Sequence, residues 1–387
     1  MKTVQLGDVA IIDRKGVDPE SVPPDTIYLG LEHIERGGRI IGHSTVGSAQ
    51  LASTKFRFTP EHVLFGKLRP NLGKVSRPTF AGICSTDILP LRPSEALDRG
   101  YLAHYLAQPS MVEFAASRTS GANLPRLSPP VLASFPLPLP PLPEQRRIAA
   151  ILDQADAIRA KRRQVLTHLD SLTQAIFRDM FGDLATSAWD RVPFGELVSR
   201  VENGTSPTCE SRPANENEWG VLKLGAVTYG TFRANENKAF LGDIRGMAVN
   251  EVRPGDVLMT RKNTRELVGA VALVDDVRPR LLMPDLIFRL HLDRDQLDRQ
   301  YFQALMMNPQ KRPSVRDLSS GSASSMPNIS KARLASLQIE VPPLAHQRTF
   351  ASKIDRVNAQ RAHVTRALAA DDELFASLQS RAFRGEL

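Results

Sequence analysis

Cysteine is nearly absent from this chain of 387 residues: Cys84 and Cys209 stand alone, far apart and without companions at metal-ligand spacing. That excludes a disulfide framework and argues against a structural zinc site. Long apolar runs are missing as well, so no stretch of about 18 residues can be assigned to a transmembrane helix. The opening "MKTVQLGDVAIIDRKG" has no apolar segment followed by a small-residue cleavage site, and a cytoplasmic protein is the expectation. His33, His43, His62 and the other histidines never reach His-x-x-x-His spacing. "GKLRPNLGKV" fails as a phosphate loop, because six residues separate Gly66 from Gly73 and Val75 stands where a hydroxyl would hold magnesium. "SPPVL" at Ser128 carries Val131 where an amino-methyltransferase motif needs a stacking ring, and no Gly-rich strand-to-helix turn for a cofactor precedes it. No catalytic or metal-binding set is therefore expected.

What is present describes a globular protein. Hydrophobic residues make up 42% and charged residues 24%, and the length calls for two or three domains. A formal net charge of +8 permits a polyanionic partner without requiring one.

The chain is written twice. "PLPPLPEQRRIAAILDQADAIRAKRRQVL" begins at Pro138 and "IEVPPLAHQRTFASKIDRVNAQRAHVTRAL" at Ile339. At an offset of 202, Pro140, Pro141, Leu142, Gln145, Arg146, Ala149, Asp153, Ala157, Arg159, Ala160, Leu166 and Asp170 each meet an identical residue. Upstream landmarks pair in the same order with drifting offsets: "VQLGDVA" with "VPFGELV", "TPEHVLF" with "RPGDVLM", "DRGYLAHYLAQP" with "DRQYFQALMMNP", and "SGANLPRLS" with "SGSASSMPNIS". Drift between fixed landmarks means insertions in loops, as two copies of one domain would accumulate. Asp87 and Asp285 fall at matching places in this alignment, which favours a shared fold role over a single active site.

Each copy begins with β-branched, turn-rich sequence that reads as short strands, with Gly42, Gly47, Pro60 and Pro70 as punctuation in the first. A helix is expected near Tyr101 to Ala116, and another near Tyr301 to Met307. A Ser-Gly loop and a Pro-rich extended segment follow, and Pro143 suits the first turn of a helix. From there Ile148, Ile151, Ala155, Ile158, Arg162, Val165, Leu169, Leu172 and Ile176 alternate steps of three and four. In the second copy Phe350, Ile354, Val357, Arg361, Val364, Leu368, Asp371, Phe375 and Leu378 keep the same rhythm. Such stripes argue for coiled-coil helices of about 35 residues, roughly 50 Å each, that pair antiparallel. The expected fold class is α+β: two pseudo-repeated α/β domains separated by a pair of long antiparallel coiled-coil helices. Residues 1–142 and 185–344 would be the domains, and 143–184 and 345–387 the helices.

The remaining candidate chemistry is basic surface. "KLRPNLGKVSRP" groups Lys67, Arg69, Asn71, Lys74 and Arg77, and "TRKNTREL" groups Arg261, Lys262, Asn263 and Arg265. Arg, Lys and Asn suit phosphate contact and base-edge hydrogen bonding. One such cluster would read as a solvated loop; two at corresponding places favour DNA. The Ser-Gly loops, at Ser120 and at Ser320 with Ser324, offer free backbone N–H groups, and Arg118 and Arg126 flank the first.

With "RPNLGKV", "GDVLMTR", "PPLPEQRRI" and the closing "AFRGEL", the whole chain resembles the specificity subunits of type I restriction–modification systems. "PPLAHQRTF" departs by placing His346 where that family usually has glutamate. The resemblance implies that each domain is a target-recognition domain reading half of a bipartite, asymmetric double-stranded DNA site. It implies that the helices set the gap, and that two modification subunits dock, assigned here to Pro141, Leu142, Gln145, Arg146, Pro343, Leu344, Gln347 and Arg348. Two restriction subunits would join them. S-adenosylmethionine, ATP and magnesium would sit on those partners, leaving this subunit without cofactor or catalysis. The competing reading is a non-catalytic assembly scaffold whose two heads bind proteins.

Overall fold

The computed structural model describes residues 2–186, 188–320 and 326–387. The chain divides into two compact units: unit 1 comprises residues 1–164 and 365–387, and unit 2 residues 165–364. The two long helices, Leu142–Phe181 and Leu344–Arg384, are each shared between the units instead of forming a body of their own.

Both units are built on one α+β plan. In unit 1 an antiparallel sheet runs in the spatial order Ala10–Ile12, Ile88–Pro93, Val63–Gly66, Val75–Ser76. In unit 2 the order is Val198–Asn203, Ile287–Leu292, Val257–Thr260, Val271–Leu273. The central strands are buried on both faces, which is why "VLFG" and "VLMT" are apolar runs without alternation. A second sheet has five strands in unit 1 and three in unit 2, and each contains one parallel pair: Ile27–Leu29 with Gly82–Cys84, and Trp219–Leu222 with Leu281–Leu282. A short ribbon then pairs the start of each repeat with its Pro-rich end, Thr3–Gln5 with Pro136–Pro138 and Arg191–Pro193 with Gln338–Glu340.

Register corrects one reading. Ile88 lies opposite Gly66 and Ile287 opposite Thr260, so Asp87 corresponds to Leu286 and not to Asp285. The helix expected from Tyr101 to Ala116 is two helices, Arg99–Ala107 and Pro109–Ala116. Pro109 forces Gln108 out of the helical region, to φ −66° and ψ 145°.

Inside each unit the long helices run antiparallel. In unit 1 Arg159 meets Asp372, and Arg147 reaches the Leu387 carbonyl at 2.7 Å. In unit 2 Phe177 meets Phe350, and Arg361 meets Asp170. The seam of the second helix follows the expected residues, with Phe350, Ile354 and Val357 buried. The first does not. Ile158, Val165 and Leu172 are 44%, 43% and 40% exposed, whereas Leu152 is buried and Arg159 and Leu166 are partly covered. Steps of four then three from Ile148 fit the packed face, and the sequence allowed either order.

The helix ends belong to the cores of the units. Ile148, Leu152, Phe375, Leu378 and Ala382 pack with Leu91, Tyr101 and Leu137, while Phe177, Phe181, Phe350 and Ile354 pack with Phe288, Tyr301 and Ile339. Burying one such aromatic or leucine contributes roughly 1.5–3 kcal/mol.

Candidate nucleic-acid interface and helix joints

In each unit a basic segment leaves a central strand and is bonded through its backbone to the Ser-Gly loop. In unit 1 the Lys67 amide donates to the Asp87 carbonyl at 2.9 Å, and the Lys67 carbonyl accepts from Leu127 at 2.9 Å. The Arg69 amide donates to the Pro125 carbonyl at 2.8 Å, and Ser120 and Arg126 close the loop with paired bonds of 3.0 and 2.9 Å. Unit 2 repeats the pattern. Arg261 donates to Leu286 at 2.9 Å and accepts from Ile329 at 2.9 Å, Asn263 donates to Pro327 at 3.3 Å, and Ser320 pairs with Asn328. Lys67 thus corresponds to Arg261, Leu68 to Lys262 and Arg69 to Asn263. Cluster and loop, separate in sequence, are one feature of each unit.

The turn after Lys67 is shaped for display. Arg69 takes a left-handed conformation, φ 50° and ψ 59°, ahead of the single 3-10 turn Pro70–Leu72, and Gly73 closes it at φ 59°. A non-glycine residue held there costs on the order of 1 kcal/mol. Arg69 and Asn71 are exposed, and neither side chain has a protein partner among the described residues. Arg118 is exposed and lies over the Phe114 ring at 3.4 Å, bonded to Ser117 at 3.0 Å. In unit 2 Lys262 is exposed, and Arg265, 77% exposed, has only a loose 3.8 Å contact to Asp317. These side chains can accept a polyanion without breaking the fold.

Other assigned residues are occupied by the protein itself. Asn263 is 6% exposed, donating to the Thr228 hydroxyl at 3.0 Å and accepting from the Thr264 amide at 2.8 Å, so it is a structural residue and not a DNA contact. Lys74 Nζ donates to the Leu31 carbonyl at 2.7 Å. Arg77 grips Asp153 on the first long helix with bonds of 3.0 and 2.5 Å, which makes it a head-to-helix tie. Arg126 is paired with Asp87 at 2.9 and 3.3 Å, yet its side chain stays 43% exposed. Arg261 donates to Asn328 at 3.1 Å, and Lys67 is half-buried. Ser320 is placed by its backbone, and Ser324 lies outside the described residues.

The two glutamines of the repeated motif have a different use from the docking role assigned to them. Gln145 and Gln347 are both fully buried and cannot meet a partner. Gln145 accepts from the Asp98 amide at 2.8 Å and donates to the Ala96 and Pro140 carbonyls at 3.0 and 2.8 Å. Gln347 accepts from Asp298 at 2.9 Å and donates to the Gln296 and Pro342 carbonyls at 3.0 and 2.8 Å. One amide satisfies three backbone groups where the head meets its helix. The same aspartates cap the helices Arg99–Ala107 and Arg299–Met307, and Tyr101 and Tyr301 bond the Pro138 and Glu340 carbonyls, each at 2.8 Å. Pro141, Arg146, Pro343 and Arg348 remain exposed, and Leu142 and Leu344 are half-buried.

Eight residues beyond the glutamines the joints differ. Asp153 meets His104 at 2.6 Å as well as Arg77, whereas Asp355 meets the neutral Gln300. Burial pushes the Asp153 carboxyl up, but the hydrogen bonds from His104 and Arg77 and the Arg77 charge outweigh it and hold the group well below the usual carboxylate range. Along the paired helices the repeat becomes reciprocal. Arg159 bonds Asp372 at 2.6 Å in unit 1, and Arg361 bonds Asp170 at 2.9 Å in unit 2. Arg162 also pairs with Asp371.

Among the described residues no helix is long and apolar enough to cross a membrane, and no group of three or more His, Cys, Asp or Glu could hold a metal ion.

The two units thus share one plan, each carrying an exposed basic turn and a glutamine joint to a long helix. Residues 1–168 match the family model described as the type I restriction modification DNA specificity domain. The chain is similar to type I restriction enzyme specificity subunits. It is 30% identical to the EcoDI specificity subunit of Escherichia coli over 228 residues, 58% of this chain and 50% of that one. It is 26% identical to the EcoKI specificity subunit of Escherichia coli K12 over 331 residues, 80% of this chain and 69% of that one. The chain thus spans about half the length of the EcoDI subunit, and 28% of the EcoEI subunit is matched. The fold is that of the S subunit of a type I system from M. genitalium, with a TM-score of 0.62, 12% identity and coverage of 99% of this chain and 96% of that one. A chain from a study of type I restriction–modification complex assembly gives 0.57 at 21% identity, covering 100% and 98%.

Proposed function

We propose that this chain is the DNA-specificity subunit of a type I restriction–modification complex, each unit reading one half of a bipartite, asymmetric site. The observation that carries the reading is the repeated pairing of a displayed basic turn with the Ser-Gly loop, in a chain whose first 168 residues match a DNA specificity domain. Arg69, Asn71 and Arg118 in unit 1, and Lys262 and Arg265 in unit 2, are the side chains free to contact phosphates and base edges. The long helices set the gap between half-sites, and the exposed Pro141, Arg146, Pro343 and Arg348 lie on the surface that two modification subunits use. The chain itself is non-catalytic and holds no cofactor. S-adenosylmethionine is bound by the modification subunits, and ATP and magnesium by two restriction subunits, all in the cytoplasm.

Methylation mapping of a genome carrying this chain with its modification subunit tests the reading. Two short half-sequences at one fixed spacing are expected. Methylation without a bipartite motif, or turnover by the purified chain alone, would defeat it. A chain that assembles with proteins but binds duplex DNA with no salt-dependent affinity would favour the scaffold reading.

A further inference from the structure

A second loop abuts the displayed turn in each unit, and the parallel strand pairs fix its alignment. Counting back from the matched Asp87 and Leu286, Ile83 corresponds to Leu282. Tyr28 lies opposite the one and Val221 opposite the other, so Tyr28 corresponds to Val221. Single 3-10 turns follow at equal spacing, Leu31–His33 and Leu224–Ala226. Gly37 and Gly230 then both take left-handed φ, 86° and 76°. The residues just before those glycines are Arg36 and Tyr229. They are equivalent in position and unlike in chemistry.

Each stands one residue from a bond to the basic turn. In unit 1 the Gly37 amide donates to the Gly73 carbonyl at 3.3 Å, and Lys74 Nζ ties the same loop through the Leu31 carbonyl at 2.7 Å. In unit 2 the Asn263 side-chain amide donates to the Thr228 hydroxyl at 3.0 Å. Arg36 is exposed, and its side chain has no partner among the described residues. Tyr229 is 58% exposed, with the exposed Arg233 guanidinium 4.9 Å from the ring centre. A lone exposed ring on a protein surface needs no explanation by itself. This one lies beside a turn that displays Lys262 and Arg265, and unit 1 keeps the same loop with an arginine in its place. The fold does not require the ring.

We propose that this loop is a second reading element of each half-site, with Arg36 and Tyr229 as specificity-determining residues. The inference rests on the DNA reading above and extends it to side chains outside the basic clusters. A forked guanidinium suits the paired acceptors of guanine, whereas an apolar ring suits a thymine methyl group, with Arg233 beside it to meet phosphate. An asymmetric site needs heads that differ where bases are read, and this position differs while its backbone frame is kept.

The test uses the full chain assembled with its modification subunit, on duplexes in which each base pair of the mapped site is changed in turn. Tyr229→Ala should lose about tenfold discrimination at one or two adjacent positions of one half-site. Tyr229→Phe keeps the ring and should read as wild type. Arg36→Ala should lose a similar amount in the other half-site alone. All three should keep the wild-type urea midpoint and assemble normally. Unchanged discrimination in either alanine variant, or loss spread over both half-sites, overturns the proposal. Tyr229→Phe as defective as Tyr229→Ala overturns the role of the ring. A lowered midpoint or weakened assembly in place of lost discrimination also overturns the proposal, by making the loop a structural or protein-binding feature. If the wild-type complex has no sequence preference, the functional reading falls too; if it reads its site and the variants read it identically, the proposal falls alone.

Discussion

At the joint of unit 1, Gln145 bonds three backbone groups, and Gln347 makes the same three bonds in unit 2 to within about 0.1 Å. Eight residues further on, Asp153 is held by an arginine and a histidine, while Asp355 is held by a glutamine amide. The contrast separates two kinds of polar contact. A buried amide that satisfies backbone leaves no alternative in sequence, because each orphaned group costs about 1–3 kcal/mol. A half-exposed carboxylate can change partners at little cost, since water substitutes for whichever is lost.

Removing either glutamine should do the most damage. Gln145→Ala and Gln347→Ala should each lower the stability of their own unit by about 3 kcal/mol, seen in urea midpoints, from the groups left unpaired. A large loss in one and less than about 1 kcal/mol in the other would break the equivalence of the joints.

Next in size are the displayed side chains. In the assembled complex Arg69→Ala or Asn71→Ala should weaken the unit 1 half-site, and Lys262→Ala the unit 2 half-site. A base contact should cost about 1–3 kcal/mol at one position, and a phosphate contact should reduce the salt slope by about one. Arg77→Ala should instead destabilise unit 1 and leave the salt slope alone; a reduced slope would return Arg77 to the DNA surface.

Arg159 is 17% exposed, bonds Asp156 and Asp372 and lies 4.2 Å over Phe375, whereas Arg361 is 30% exposed and faces an Asp170 that is 68% exposed. Arg159→Ala should cost about 1–2 kcal/mol and Arg361→Ala less than about 1 kcal/mol. Equal losses would mean that surroundings do not differentiate the two halves of the reciprocal pair.

The smallest effect concerns acid. Because the folded Asp153 carboxyl lies below its unfolded value near 3.9, the stability it contributes is present above about pH 4 and lost as pH falls through the folded pKa. The difference in urea midpoint between wild type and Asp153→Asn should therefore narrow below about pH 4. A gap that widens on acidification would reverse the assignment.

Much of this molecule was legible in its sequence, for physical reasons that also mark where legibility stopped. The duplication, the long helices and their antiparallel pairing follow from repeated landmarks and heptad spacing. The packed face of the first helix was misread because apolar residues occupy both candidate stripes, Ile158 and Val165 on one and Leu152 and Leu166 on the other, and only tertiary contact chooses. That Arg69 and Asn71 are exposed at a turn is legible because basic and amide side chains cluster there around Pro70 and Gly73. Asn263 belonged to the same pattern and proved buried, since composition does not say which way a side chain faces. Gln145 and Gln347 stand out in the sequence as repeated residues, yet they serve the joint and not a partner. A shared motif marks a shared environment, and the environment here is interior.

The division of the chain also orders its folding. Unit 2 is one unbroken stretch, residues 165–364, whereas unit 1 is completed only by residues 365–387, which include Phe375, Leu378 and Ala382 of its core. A ribosome that has released residue 364 has supplied everything unit 2 needs, while unit 1, begun first, still waits for a helix that closes a loop of about 200 residues. The domain made second should therefore be the domain finished first. Chains stalled on the ribosome just after residue 364 emerges should show a protease-resistant unit 2 beside a sensitive unit 1, and the opposite pattern would refute that order.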